Sequence, residues 1–227
     1  MTDGRAAILE RVRRSLATAH LPDSSLAWSR PPAPDSSADQ AALLARFAVE
    51  LQAVGGEFFA PEGDEAARRL VVELIREAGG GPILSWAEGE LGLAGLGEAL
   101  TAAGIAVERV HLPSDLAARS TRAQDLASPP AGLTGAFAAL ADTGSLVLLG
   151  GPDRPMNASL LPPLHIALLP RAALWPDMVA FLAAHAPHDL IGGRNLVFIT
   201  GPSRTADIEM VLTRGVHGPK RLAVVVV

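Results

Sequence analysis

Residues 199 to 209 read ITGPSRTADIE, and they place hydroxyls, a guanidinium and two carboxylates directly behind the short apolar run Leu196 to Phe198. Pro202 fixes a turn, Ser203 is a helix-capping type, and the free N–H groups of a first helical turn favour an anion, which Arg204 would clamp. Gly201, Ser203, Arg204 and Thr205 are therefore candidate ligand-binding residues. Asp207 and Glu209 are candidates for proton transfer. On a helix advancing roughly 100° per residue they fall on opposite flanks of the apolar stripe Ile208, Val211 and Leu212, so they do not form a paired acid/base dyad. The plainer reading is that both acids complement the helix dipole.

A second constellation is Ala141-Asp142-Thr143-Gly144-Ser145. Turn amides together with the Thr143 and Ser145 hydroxyls, around Gly144, would form half of an oxygen-binding cradle. Its letters resemble an aspartic protease turn, but the chain has no second copy of it. Further on, Arg154 to His165 reads RPMNASLLPPLH, whose prolines preclude a long helix. His165 opens a strand, as a structural group or as a general acid/base candidate. Gly215-Val216-His217-Gly218-Pro219 turns into the last strand. If the strands at 196–200 and 221–227 are parallel neighbours joined by a ten-residue helix, His217 lies about 15 Å from Gly201 to Thr205, as a second site or an interface residue. His185 and His188 suit a helix C-terminus better than a metal pair. No metal site is expected. Gly92, Gly95 and Gly97 do not follow the GxGxxG order, and no GxxxxGK[ST] segment exists, so nucleotide binding has no motif support.

The elements that must position these residues are legible in outline. Apolar Ile8, Val12 and Leu16 predict an amphipathic N-terminal helix within residues 1–20, with arginines on its outer face. Residues 21–40 are rich in Pro, Ser and Asp and read as a linker. From about residue 41 to 227 helix and strand alternate: helices over 39–54, 64–78 and 93–103, and strands at 57–60, 83–86 and 105–110. Pro113 to Pro130 is polar, with a helix expected over 115–126. Strands follow at 145–149, 165–169, 196–200 and 221–227, with a helix over 176–184. This alternation predicts an α/β domain built on a mostly parallel, doubly covered sheet.

Composition narrows the function class. The chain has 227 residues, nearly half of them apolar, a net charge of −5 and no stripe of Lys or Arg beyond its start, so a nucleic-acid partner is not expected. Cysteine is absent, which excludes disulfides, thiolate nucleophiles and Cys-held iron–sulfur clusters in this chain. No apolar run approaches the ~20 residues of a membrane span, and the start lacks a signal core, so a cytoplasmic location is expected.

Taken in order, the Ala141 to Ser145 turn, the run Leu161-Pro162-Pro163-Leu164-His165-Ile166, the segment Gly201 to Glu209 and Gly215 to Pro219 resemble the lactate utilisation protein C family, which carries a LUD domain. The resemblance covers about Phe47 to Val227. Ser145 is a mild departure, since the family's turn more often reads Thr-Gly-Thr. The resemblance implies a three-layer αβα, NagB/RpiA/CoA-transferase-like domain, the kind shared with sugar-phosphate isomerases and coenzyme A transferases. It also implies a role in oxidising L-lactate to pyruvate, with iron–sulfur partner proteins carrying the electrons and no cofactor bound by this chain. The ligand would be a small carboxylate or a phosphorylated compound. A non-catalytic assembly or regulatory subunit is the contrasting expectation, and an independent isomerase or acyl transferase follows from fold analogy alone.

Overall fold

A computed structural model describes residues 3–18, 39–108, 126, 129–185, 195–206, 212–214 and 217–227. The chain divides into two compact units, Met1–Pro31 and Pro32–Val227. In the first, helix α1 spans Asp3–Ala17 and its stripe Ile8, Val12 and Leu16 is exposed. Most of the expected linker, and the helix expected over 115–126 apart from Leu126, lie outside the described residues.

The second unit opens with α2 (Gln40–Ala53), where the Asp39 carboxylate accepts the Ala41 N–H at 2.9 Å and so satisfies one of the free donors of the first turn. The expected alternation follows as β1 (Glu57–Phe59), α3 (Gly63–Glu77), β2 (Ile83–Ser85), a 3-10 turn (Glu88–Glu90), α4 (Leu96–Ala102) and β3 (Val107–Glu108). Next come β4 (Ala131–Gly135), β5 (Ala138–Leu140), β6 (Ser145–Leu149), α5 (Asn157–Leu160), β7 (Leu164–Leu169), β8 (Leu174–Trp175) and α6 (Met178–Ala184). The chain closes with β9 (Leu196–Ile199), β10 (Arg204–Ala206), β11 (Leu212–Arg214) and β12 (Arg221–Val226).

Six strands form a wholly parallel sheet in the order β1-β12-β7-β4-β2-β3. Every residue of β4 and β7 is buried, as are residues 222–226 of β12. Successive side chains point to opposite faces, so the middle of this sheet is covered on both, and its strands read as unbroken apolar runs. Four other strands form a second sheet, β8-β5-β6-β9, in which β6 runs antiparallel to both neighbours. One face of this second sheet, with Ala139, Ala141, Leu146 and Leu148, joins the main core alongside Phe47 and Leu51 of α2. Its other face, with Ala138, Leu140 and Val147, packs against Phe181 of α6.

Two expectations are corrected here. β9 and β12 are not parallel neighbours: β9 pairs with β6 in the second sheet, while β12 lies between β1 and β7. The connection between them is not a helical crossover, because β10 and β11 form an antiparallel pair in which Arg204 faces Arg214 and Thr205 faces Thr213. The small-residue strands β4 and β5, and the short β8, add to the expected set. The α/β class, the mostly parallel sheet and the N-terminal helix stand as read from the sequence.

Candidate functional site

The turn from β5 to β6 is held by Gly144, whose φ of +65° suits glycine and where a Cβ would overlap the backbone of Leu51 in α2. Ser145 then opens β6. The β6–β9 register pairs Leu146 with Ile199, and the next antiparallel step sets Ser145 opposite Thr200. Ser145 Oγ accordingly lies 2.8 Å from Thr143 Oγ1 and 2.7 Å from Thr200 Oγ1. Ser145 is buried, while Thr143 and Thr200 are exposed. Each hydroxyl both donates and accepts, so this chain of three presents either a proton or a lone pair to a ligand by rotating O–H bonds alone.

Past Thr200 the chain turns at Gly201, with φ +79°, where a Cβ would stand 2.7 Å from the Val54 carbonyl oxygen. The Arg204 guanidinium donates to that same carbonyl, setting a cation at the negative end of α2. Ser203 N–H donates to the Pro219 carbonyl at 2.9 Å, and the Lys220 and Arg221 N–H groups donate to Pro163 at 2.8 and 3.1 Å. A Cβ on Gly218 would sit 3.1 Å from that of Ser203. Hydrogen bonds and packing thus bring the motifs at 143–145, 162–163, 201–204 and 217–219 to one place.

That place follows the carboxyl end of β9 in the second sheet and lies at one edge of the parallel sheet. Pro163, Lys220 and Gly56 precede β7, β12 and β1, so the loops gather at the amino edge of the parallel sheet and not at its carboxyl edge. The expected 15 Å separation of the His217 turn from Gly201–Thr205 does not hold either. With β9 and β12 in different sheets, the chain folds back, and exposed His217 is two residues from the carbonyl that Ser203 bonds. Because the segment after Ser203 is a strand, Arg204 and Thr205 sit on a hairpin edge and not in a helical turn. Asp207 and Glu209 lie outside the described residues, as does His188.

His165 sits apart from the hydroxyl chain. It is 1% exposed, its Nε2 lies 2.8 Å from Thr134 Oγ1, and burial lowers its pKa to about 3. A neutral, sealed imidazole suits a structural bond better than proton exchange with solvent. His185 donates Nδ1–H to the Phe181 carbonyl at 2.7 Å and packs on that ring at a centroid distance of 4.5 Å. Among the described residues no group of three or more His, Asp or Glu is placed to hold a metal.

Sequence reasoning left out two members of the cluster. Thr200 enters only through strand register, which its own letters do not reveal. Asp142 was visible in its turn without a role; its Oδ1 is buried and has no hydrogen-bond partner among the described residues.

A cleft of about 1160 Å³ opens elsewhere, beside the carboxyl end of β2. In doubly wound sheets such an edge is the usual ligand position. Its lining includes Trp86 and Thr101, but the charged groups are the carboxylates Glu88, Glu98 and Asp153. That lining repels an anion, whereas Arg204 belongs to the converging loops.

Residues 44–227 match the family model described as LUD domain. Lactate utilization protein C of Anoxybacillus flavithermus is 40% identical over 96 residues, covering 42% of this chain and 43% of that relative. The chain thus spans less than half the length of several curated relatives it matches. Lactate utilization protein C of a Geobacillus species is 34% identical over 173 residues, 70% of this chain and 68% of the relative. A crystal structure of a DUF162 family protein from Deinococcus radiodurans superposes with a TM-score of 0.55 at 21% identity, covering 83% of this chain and 98% of that one. That likeness concerns the fold.

Proposed function

We propose, from the premise that the chain belongs to the LUD domain family, that it is a cytoplasmic component of a lactate utilisation system and binds a small anion where its four motifs converge. The observation that carries this reading is the hydrogen-bonded joining of two motifs far apart in sequence, Ser145 to Thr200, with Arg204 four residues further on. The names of the relatives, lactate utilization protein C, supply the substrate class. Oxidation of L-lactate to pyruvate removes two electrons and two protons. With no cysteine in the chain, the electrons pass to iron–sulfur partner proteins. The chain's own part is to orient the anion: Arg204 offers a charged fork to a carboxylate, and the hydroxyls of Thr143, Ser145 and Thr200 direct its oxygens.

Deleting the chain is expected to abolish growth on L-lactate while leaving growth on pyruvate intact. Normal growth on lactate in a strain with no second copy overturns the proposal.

A second reading, a subunit that assembles its partners and does no chemistry, draws on one observation. Arg204 already has a structural use at the Val54 carbonyl. Arg204→Ala separates the two. Loss of lactate oxidation with partner association intact favours the ligand site, and retention of both favours assembly.

A further inference from the structure

We infer that helix α1 is an interfacial anchor that lies along an anionic phospholipid surface, with its stripe Ile8, Leu9, Val12 and Leu16 turned into the lipid and its arginines among the phosphates. Every residue from 4 to 17 is exposed, and the four stripe residues are 43–63% exposed. A helix of this length, 15 residues, is marginal by itself in water, and helices draw most of their stability from an apolar face that meets apolar surroundings. The stripe therefore calls for a partner. Its assignment is independent of the anion site proposed above.

The placement of charge decides which partner fits. On a wheel advancing roughly 100° per residue, the stripe fills a sector about 100° wide. Arg11 falls roughly 60° outside one border and Arg13 roughly 40° outside the other, while Asp3 and Glu10 fall roughly 150–170° from the sector's centre. Cationic flanks with the acids turned away match a surface that is negative on both sides of the helix, as a bilayer holding anionic phospholipids is. The Arg13–Glu10 contact is an exposed pair at 3.8 Å, too weak to withhold Arg13 from a phosphate. Arg5 lies within the sector itself, one turn before Leu9. In a protein groove that guanidinium would be desolvated and would need a carboxylate at one fixed place, whereas along a bilayer its long stem reaches out to the nearest phosphate. The positive charge is also local: the chain as a whole carries −5, and α1 holds four arginines against two acids. An anionic surface repels the rest of the chain and attracts this helix, so the two meet helix first.

The test is co-sedimentation of the full chain with vesicles of phosphatidylcholine alone and of phosphatidylcholine with about one third phosphatidylglycerol, at low and high salt. The wild type is expected to bind the anionic vesicles at least about tenfold more tightly than the neutral ones, and to be released as salt rises. Val12→Glu, at the centre of the stripe, should abolish binding. Joint replacement of Arg11 and Arg13 by Gln should weaken it about tenfold, whereas Arg14→Gln, on the outer face, should change it little. All these positions are exposed, and melting curves of each variant matching the wild type confirm that the α/β domain is intact. Sedimentation with neither vesicle overturns the proposal, and so does equal binding to both. If Val12→Glu binds as the wild type does, the contact lies elsewhere on the chain and the assignment of α1 is wrong. If Arg14→Gln weakens binding as much as the flanking pair, the attraction is diffuse charge without an oriented helix, which also overturns it. Loss of lactate-dependent growth in Val12→Glu, with no vesicle binding by the wild type, would assign the stripe to a protein groove instead of lipid.

Discussion

Ser145 is the residue on which the candidate site turns, because its buried hydroxyl is the shared partner of Thr143 and Thr200. Removing it leaves two exposed hydroxyls that water can satisfy, so the penalty is that of lost hydrogen bonds and not of stranded polar groups. Ser145→Ala should therefore cost about 1 kcal/mol, a fall in Tm of roughly 2–4 °C, while weakening anion binding. Thermal melts with and without ligand check both parts. The types of residue here were legible in the sequence: hydroxyls, turn glycines and an arginine announce an oxygen-binding loop. Their meeting was not, since it depends on β6 pairing with β9, a long-range choice that neither segment encodes alone. Assigning Asp207 and Glu209 to a helix rested on the spacing of Ile208, Val211 and Leu212. Those two residues lie outside the described ones, while the flanking segments 204–206 and 212–214 pair as strands.

At the level of elements, helices α2 and α3 were readable because apolar residues recur at helical spacing and glycines close them, at Gly55 and at Gly79. β4 was not readable, because Ala-Gly-Leu-Thr-Gly holds one β-branched residue, Thr134, and two glycines, which weaken strand preference. Its glycines are there for contact. A Cβ on Gly132 would overlap the Ala158 carbonyl of α5, and one on Gly135 would overlap the carbonyl of Glu90. β4 thus gives up strand propensity so that α5 and the 3-10 turn can press on the sheet. Gly132→Ala should cost at least about 2 kcal/mol, lowering Tm by about 4–8 °C, since backbone atoms must move. A melt unchanged by this substitution would show that α5 is not seated on β4 as described.

For the molecule as a whole, parallel β7 and β4 lie at the centre of the six-stranded sheet, and His165 is sealed between them against Thr134. Its pKa of about 3 in the folded state lies below the ordinary 6.5 of the unfolded chain, so the unfolded state alone takes up this proton as pH falls through that interval. The stability from keeping His165 neutral is complete above about pH 6.5. It is lost toward pH 3, at up to about 1.4 kcal/mol per pH unit. Urea unfolding between pH 7 and pH 4 should show this loss, and His165→Gln should flatten it. The same global view explains why the loops gather at the amino edge: two sheets share one core, and the return from the second to the first brings residues 201–204 onto 217–219. The most direct test of that convergence is backbone amide NMR during titration with L-lactate, pyruvate and phosphate. Shift changes concentrated at residues 143–145, 200–204 and 217–220 are predicted. Changes centred instead on Trp86 to Glu90 and Asp153, or none with any of the three anions, would contradict the account.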